Sequence, residues 1–153
     1  MTERDIPGVV APPPLLYAAA LGAGLLIEHW FPRPVLPPDW ARPLGILLFA
    51  SGLLGIAAVV AFRQAHTSPN PWKTTSQLVT GGVYRVSRNP MYVGFTLWYL
   101  GAACWANSLW PLLLLPLVMV IMIYGVILRE ERYLDRRFGE EYRRYRAQVR
   151  RWL

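Results

Sequence analysis

The chain has 153 residues, enough for one domain, and only 16% of them are charged against 54% hydrophobic, where a soluble domain usually carries about 25% charged residues. The net charge of +7 is concentrated in one tail between acids, which argues against a nucleic-acid-binding surface and for basic segments beside a bilayer. One cysteine, Cys104, excludes an intrachain disulfide and a cysteine-based metal site, and its apolar surroundings make it a small buried residue rather than a nucleophile.

The opening "MTERDIPGVVAPPP" has acids and prolines but no basic cluster, unlike a cleaved signal peptide. Residues 15–31, "LLYAAALGAGLLIEHWF", are apolar and about long enough to span a bilayer, with Glu28, His29 and Trp30 at one end. Residues 43–62, "PLGILLFASGLLGIAAVVAF", would rise roughly 30 Å as a helix, the thickness of a hydrocarbon core. Gly45, Ser51, Gly52 and Gly55 give this second span a small-residue face on which another helix, or a second copy in a homodimer, can pack closely.

Residues 63–90 form a basic loop with Arg63, Lys73, Arg85 and Arg88 and no acid. Within it "TSPNPW" and "TGGVY" are turn chemistry, and Gly81-Gly82 lets the backbone approach another group closely. Asn89 is a good N-cap and Pro90 a good first helical residue. A helix therefore begins there, with its positive end and Arg85 and Arg88 on the loop side. Such a terminus suits a carboxylate or a phosphate, although capping plus ordinary loop arginines explains the same residues.

From Pro90 to Leu128 there is no charge. A single helix of that length would rise roughly 58 Å, too long for one span. It must fold back at "WANSLWP", giving a helical hairpin with spans at 91–106 and 109–128. Pro111 suits the first turn of the second helix, and Pro116 lies where it should kink it. The tail 129–153 is amphipathic: Leu134, Phe138, Tyr142, Tyr145 and Val149 recur at helical spacing, and Gly139 divides it in two. An interfacial helix lying on lipid is the plain expectation for it. The fold class is thus an all-α integral membrane protein of about four spans with an amphipathic cytoplasmic tail. Loop charges place both ends and residues 63–90 in the cytoplasm, in a bacterial inner membrane.

Glu130 and Glu131 follow the last span directly. Acids oppose the dipole at a helix C-terminus, so either the helix continues or the acids bind something. A carboxylate near bilayer level is costly unless paired. Glu131 has Arg132 and Arg136 as surface partners. His29 and His66 fall on opposite sides of the membrane, and there is no metal-binding constellation, phosphate loop, dinucleotide fingerprint or serine triad.

Taken together, "LVTGGVYRVSRNPMYVG", the uncharged hairpin and "REERYLDRRFGEEYRRYRAQVRRWL" resemble the isoprenylcysteine carboxyl methyltransferases of the short bacterial branch and the related phospholipid methyltransferases. The resemblance covers about half the chain. It implies a membrane enzyme that uses S-adenosylmethionine, held by the last two spans and flanking cytoplasmic segments. By position, Gln77, Leu78, Val79, Thr80 and Gly82 would line the cofactor. Tyr84, Arg88, Asn89, Pro90 and Tyr92 would hold its methionine end and adenosyl group, and Gly94 would give close helix contact. Glu130 and Glu131 would include the acid that grips the ribose or the amino group. Arg88, Tyr92 and Glu130 would serve the chemistry, with a membrane lipid or small amphipathic molecule as acceptor. Eukaryotic carboxyl methyltransferases carry His where this chain has Asn89, which hydrogen-bonds but cannot titrate. Two other readings remain: a nicotinamide-dependent membrane reductase of the sterol-reductase type, and a non-catalytic scaffold or lipid binder.

Overall fold

The computed structural model describes residues 6–65 and 75–153. His66, Lys73 and "TSPNPW" lie outside the described residues. Every regular element among those described is helical. Helix α1 runs Pro13–Trp30, α2 Pro38–Ser51, α3 Leu54–Gln64, α4 Pro90–Trp105, α5 Leu109–Met122, α6 Leu128–Phe138 and α7 Glu140–Gln148. A 3₁₀ turn, Gly82–Arg85, precedes α4, and a π-helical turn, Ile123–Ile127, joins α5 to α6.

Two continuous stretches are long and apolar enough to cross a membrane, Pro38–Gln64 and Leu109–Phe138. Only 22% and 33% of their apolar windows are buried within the protein, so most of that surface faces outward. Leu47, Leu54, Ile56, Leu113, Leu117 and Val120 stand exposed along them, a belt that water solvates poorly and lipid solvates well.

The first of these stretches starts earlier than the sequence suggests. Pro38 takes the first helical position, and Pro43 sits inside α2 rather than at its start. The helix is then interrupted after Ser51. There Trp98 of α4 lies against Gly52, where a Cβ would collide with the indole ring. The break releases the Phe49 carbonyl, which accepts the Trp98 indole N–H at 3.2 Å.

Helix α4 packs against α1, α2 and α3. Its small residues meet theirs backbone to backbone: a Cβ on Gly94 would lie 2.7 Å from Gly55 Cα, and one on Gly45 would lie 2.9 Å from the Gly101 carbonyl. The glycine face of the second span is therefore used inside the protomer, not left open for a second copy.

The hairpin turns where the sequence requires. Asn107 adopts a positive φ of 49°, which Asn tolerates better than most residues. Its side chain accepts the Val35 and Leu36 N–H groups and donates to the Leu36 carbonyl. Glu28 accepts from Ser108 and from the Arg33 N–H. This end of the bundle is tied by polar contacts.

At the other end the helix does not stop at Leu128. It continues through the π turn into α6, so Glu130 and Glu131 lie on a continuing helix. A π turn shifts the hydrogen-bond ladder; here the Gly125 carbonyl accepts the Val10 N–H at 3.1 Å. Gly139, at φ 51°, ends α6 and starts α7. The aromatic face of the tail does not lie on lipid. Tyr142 and Tyr145 are buried against Ala58 and Tyr84, with Leu134, Phe138 and Val149 packed around them.

Candidate functional site

The start of α4, the π turn and α6, the segment 75–85 and α7 together enclose a cavity of about 820 Å³, counted to its open mouth. Its lining includes Gln77, Leu78, Val79, Tyr84, Arg88, Asn89, Tyr92, Glu130 and Glu131, all singled out in the sequence. Thr80, Gly82 and Pro90 do not line it. Thr80 and Gly82 are exposed and Pro90 is buried in the helix start. A Cβ on Gly81 or Gly82 would meet nothing within 4 Å among the described residues. What Gly82 supplies is a φ of +59°, which turns the chain into the 3₁₀ turn.

That turn places Tyr84 inward. Its ring meets Phe62 edge-on at 5.5 Å, and its carbonyl accepts the Tyr145 hydroxyl at 2.7 Å. Burial pushes the Tyr84 phenol well above its ordinary pKa, so it stays a neutral O–H. That hydroxyl is buried and has no hydrogen-bond partner among the described residues. The segment before it is held to α6: the Thr75 N–H donates to the Tyr133 hydroxyl at 3.0 Å, and Arg137 Nε donates to the Thr75 carbonyl at 2.6 Å.

Asn89 occupies the N-cap of α4, but its side chain makes no capping bond. Its amide instead donates to the Arg151 carbonyl at 2.9 Å. Arg88 lies beside it, nearly buried. Its Nη1 meets Glu131 Oε1 at 3.1 Å and the Tyr142 hydroxyl at 3.2 Å. Its Nε is buried without a hydrogen-bond partner among the described residues.

The two acids divide sharply. Glu131 is not a surface residue paired with Arg132 or Arg136. Its side chain is 11% exposed and is gripped by Arg88 and, through both oxygens at 2.9 Å, by Arg151. Glu130 touches no cation among the described residues; both its oxygens accept the Tyr92 hydroxyl, at 2.7 and 2.8 Å. Removing one carboxylate from water costs heavily unless something offsets it. Glu130 therefore presents the cavity a carboxyl group with no cation beside it among the described residues, and Arg88 and Tyr84 line the same cavity.

Sequence reasoning left several lining residues unassigned: Pro7, Phe62, Thr75, Met91, Ile127, Tyr133, Leu134, Tyr142 and Tyr145. The helical aromatic spacing of the tail was the available signal for Tyr142 and Tyr145. Pro7 and Phe62 carried none. Among the described residues no three His, Cys, Asp or Glu side chains gather as a metal site.

The phospholipid methyltransferase family model matches residues 40–141, about two thirds of the 153-residue chain. The chain belongs to this family. Its members are membrane enzymes, in keeping with the apolar stretches above. The chain is 35% identical over 107 residues to the protein-S-isoprenylcysteine O-methyltransferase of Schizosaccharomyces pombe, covering 69% of this chain and 45% of that protein. It is 29% identical over 125 residues to the probable protein-S-isoprenylcysteine O-methyltransferase of Oryza sativa subsp. indica, covering 81% and 62%. It is 33% identical over 101 residues to the cobalt-zinc-cadmium resistance protein CzcN of Cupriavidus metallidurans, covering 66% and 45%. The matched region thus spans between 45% and 62% of the length of these curated relatives. No solved structure matches the chain. The family match contains Tyr84, Arg88, Tyr92, Glu130 and Glu131; Pro7, Tyr142, Tyr145 and Arg151 lie outside it.

Proposed function

We propose that the chain is an S-adenosylmethionine-dependent membrane methyltransferase acting on a lipidic or small amphipathic acceptor. The observation that carries this reading is one cavity lined by Glu130, which has no cation beside it among the described residues, and by Arg88 and Tyr84, each of which keeps a buried polar atom without a hydrogen-bond partner among those residues. Buried polar atoms are almost always satisfied, so two orphans on residues that line one cavity mark a ligand's place. The cofactor's chemistry fits the donor set. Its carboxylate suits Arg88, its ammonium or ribose hydroxyls suit Glu130, and its adenine suits the apolar wall of Phe62, Leu78 and Val79. When bound, it supplies a methyl group on a sulfonium, a strong electrophile.

The protein's own part is to position and to exclude water. Tyr92 fixes the rotamer of Glu130 by donating to both its oxygens. A carboxylate acceptor is nucleophilic already. An amine acceptor must lose a proton, and Glu130 is the group placed to take it. Helix α7 covers the cavity through Tyr142 and Tyr145.

The membrane arrangement belongs to the same reading. Helices α1, α2 with α3, α4 and α5 make four spans in a single domain of a bacterial inner membrane, with both ends and the cavity cytoplasmic. A water-soluble cofactor then enters from the cytoplasm and a lipid acceptor from the bilayer. Calorimetric titration of detergent-purified protein with S-adenosylhomocysteine tests the reading. Binding in the micromolar range is expected; no heat at millimolar ligand would sink it.

A further inference from the structure

The segment after α7 is bound to the start of α4 more densely than a chain end needs. The Arg88 N–H donates to the Arg150 carbonyl at 2.9 Å. The Ser87 hydroxyl, itself 2% exposed, and the Asn89 amide both donate to the Arg151 carbonyl, at 3.3 and 2.9 Å. The Arg151 side chain then reaches across and forks onto both oxygens of Glu131. Trp152 packs on the apolar core around Tyr92 and Ile127. None of this segment falls within the family match, which ends at residue 141.

We propose that Arg151 is a positioning residue that keeps Arg88 turned toward the cavity and gives the site its selectivity for a ligand carrying a carboxylate. The proposal rests on the methyltransferase reading for the identity of that ligand. The charge count gives the reason. Arg88, Glu131 and Arg151 form a three-membered cluster with one net positive charge, close to the cavity wall. An anionic ligand group is drawn to that surplus. Take Arg151 away and the cluster is neutral. Glu131 then has one cation left, and its freed oxygen draws the Arg88 guanidinium into a two-bonded pair. The guanidinium of Arg88, a residue that lines the cavity, is then spent on Glu131. Arg151 itself does not line the cavity; it acts through Glu131 and Arg88. The Asn89 amide, by holding the Arg151 carbonyl, anchors the strap that carries this arginine. Asn89 thus serves the clamp rather than a proton transfer.

Two ligands separate this role from simple structural support. S-adenosylhomocysteine carries an amino-acid end; 5′-methylthioadenosine keeps the adenosine and the sulfur and lacks it. Titrations of the wild type, Arg151→Ala and Arg151→Lys compare them. Arg151→Ala is expected to weaken S-adenosylhomocysteine about tenfold and leave 5′-methylthioadenosine unchanged. Arg151→Lys, which restores the charge without the fork, should fall between. Equal weakening of both ligands, or of neither, overturns the proposal. If the wild type itself binds no S-adenosylhomocysteine, the methyltransferase reading fails, and hydrogen exchange of the ligand-free protein judges the clamp. The Arg88 amide should then exchange about tenfold faster in Arg151→Ala; unchanged exchange overturns it.

Discussion

Tyr92 and Glu130 are 38 positions apart in sequence but share a single hydrogen-bonded unit in space. A carboxylate held in a cavity by a neutral phenol, with no cation in contact among the described residues, stores unfavourable desolvation that a ligand can relieve. The same group should therefore cost stability and supply affinity. Glu130→Gln removes the charge and keeps the shape. Its thermal midpoint in detergent, without ligand, should equal or exceed that of the wild type, while S-adenosylhomocysteine affinity falls about tenfold or more. A lowered midpoint together with intact affinity would refute this account. Tyr92→Phe should act differently, since it leaves the carboxylate without its donor. A loss of about 1–3 kcal/mol is expected for a buried group stripped of its partner, read as a lower midpoint. At this scale the sequence identified residue types well and partners poorly. Tyr92 and Glu130 were visible because each sits at the edge of an apolar run. Arg151 was not, because its partner Glu131 is twenty positions away and nothing local distinguishes it from the other tail arginines.

At the scale of elements, helix α4 is held by contacts that leave no room for a side chain. A Cβ at Gly94 would meet Gly55 Cα at 2.7 Å and the Gly52 carbonyl at 3.0 Å. Both are backbone, so the helices themselves must separate. Gly94→Ala is expected to cost about 1–3 kcal/mol and to lower the thermal midpoint. Gly22, on α1, faces nothing within 4 Å. Gly22→Ala should be neutral or gain about 0.5–1 kcal/mol from helix propensity. Equal effects at both positions would deny the close packing. Elements set by local chemistry were legible beforehand: the Asn89-Pro90 helix start, the hairpin turn at Asn107 and Ser108, and the break at Gly139. Those made by tertiary contact were not. The interruption after Ser51 accompanies the Trp98 ring seated on Gly52. The π turn at Ile123–Ile127 presents a carbonyl to Val10 from the far side of the sequence. The tail's amphipathic face was read correctly as a face, but its partner proved to be Tyr84 and Ala58 rather than lipid.

Across the whole molecule, chemistry is segregated to the two ends of the bundle. One end carries the cavity, the arginine cluster and the basic tail. The other carries the linker 31–37, pinned by Asn107, Ser108 and Glu28. Length and apolarity single out two stretches, and the reasons the other two helices differ are physical. Helix α4 has only 16 residues, roughly 24 Å, and is shielded by its neighbours. Helix α1 has polar Glu28 and His29 in its last turn, where they meet the polar knot or an interface. On the proposed four-span arrangement residues 35 and 136 lie on opposite sides, because α2 with α3, α4 and α5 would cross between them. On that proposal the basic side is expected to face the cytoplasm, since moving its arginines across a bilayer is costly. Cysteine labelling reads this directly in a Cys104→Ala background, where the single native thiol is gone. Val35→Cys lies in the exposed linker and Arg136→Cys on the exposed side of α6. In intact bacterial cells a membrane-impermeant maleimide should label position 35 alone, and position 136 should react only after permeabilisation. Labelling of both in intact cells would remove the odd number of crossings between them. The reverse pattern would keep the crossings but turn the cavity away from the cytoplasm, where the proposed cofactor would be supplied.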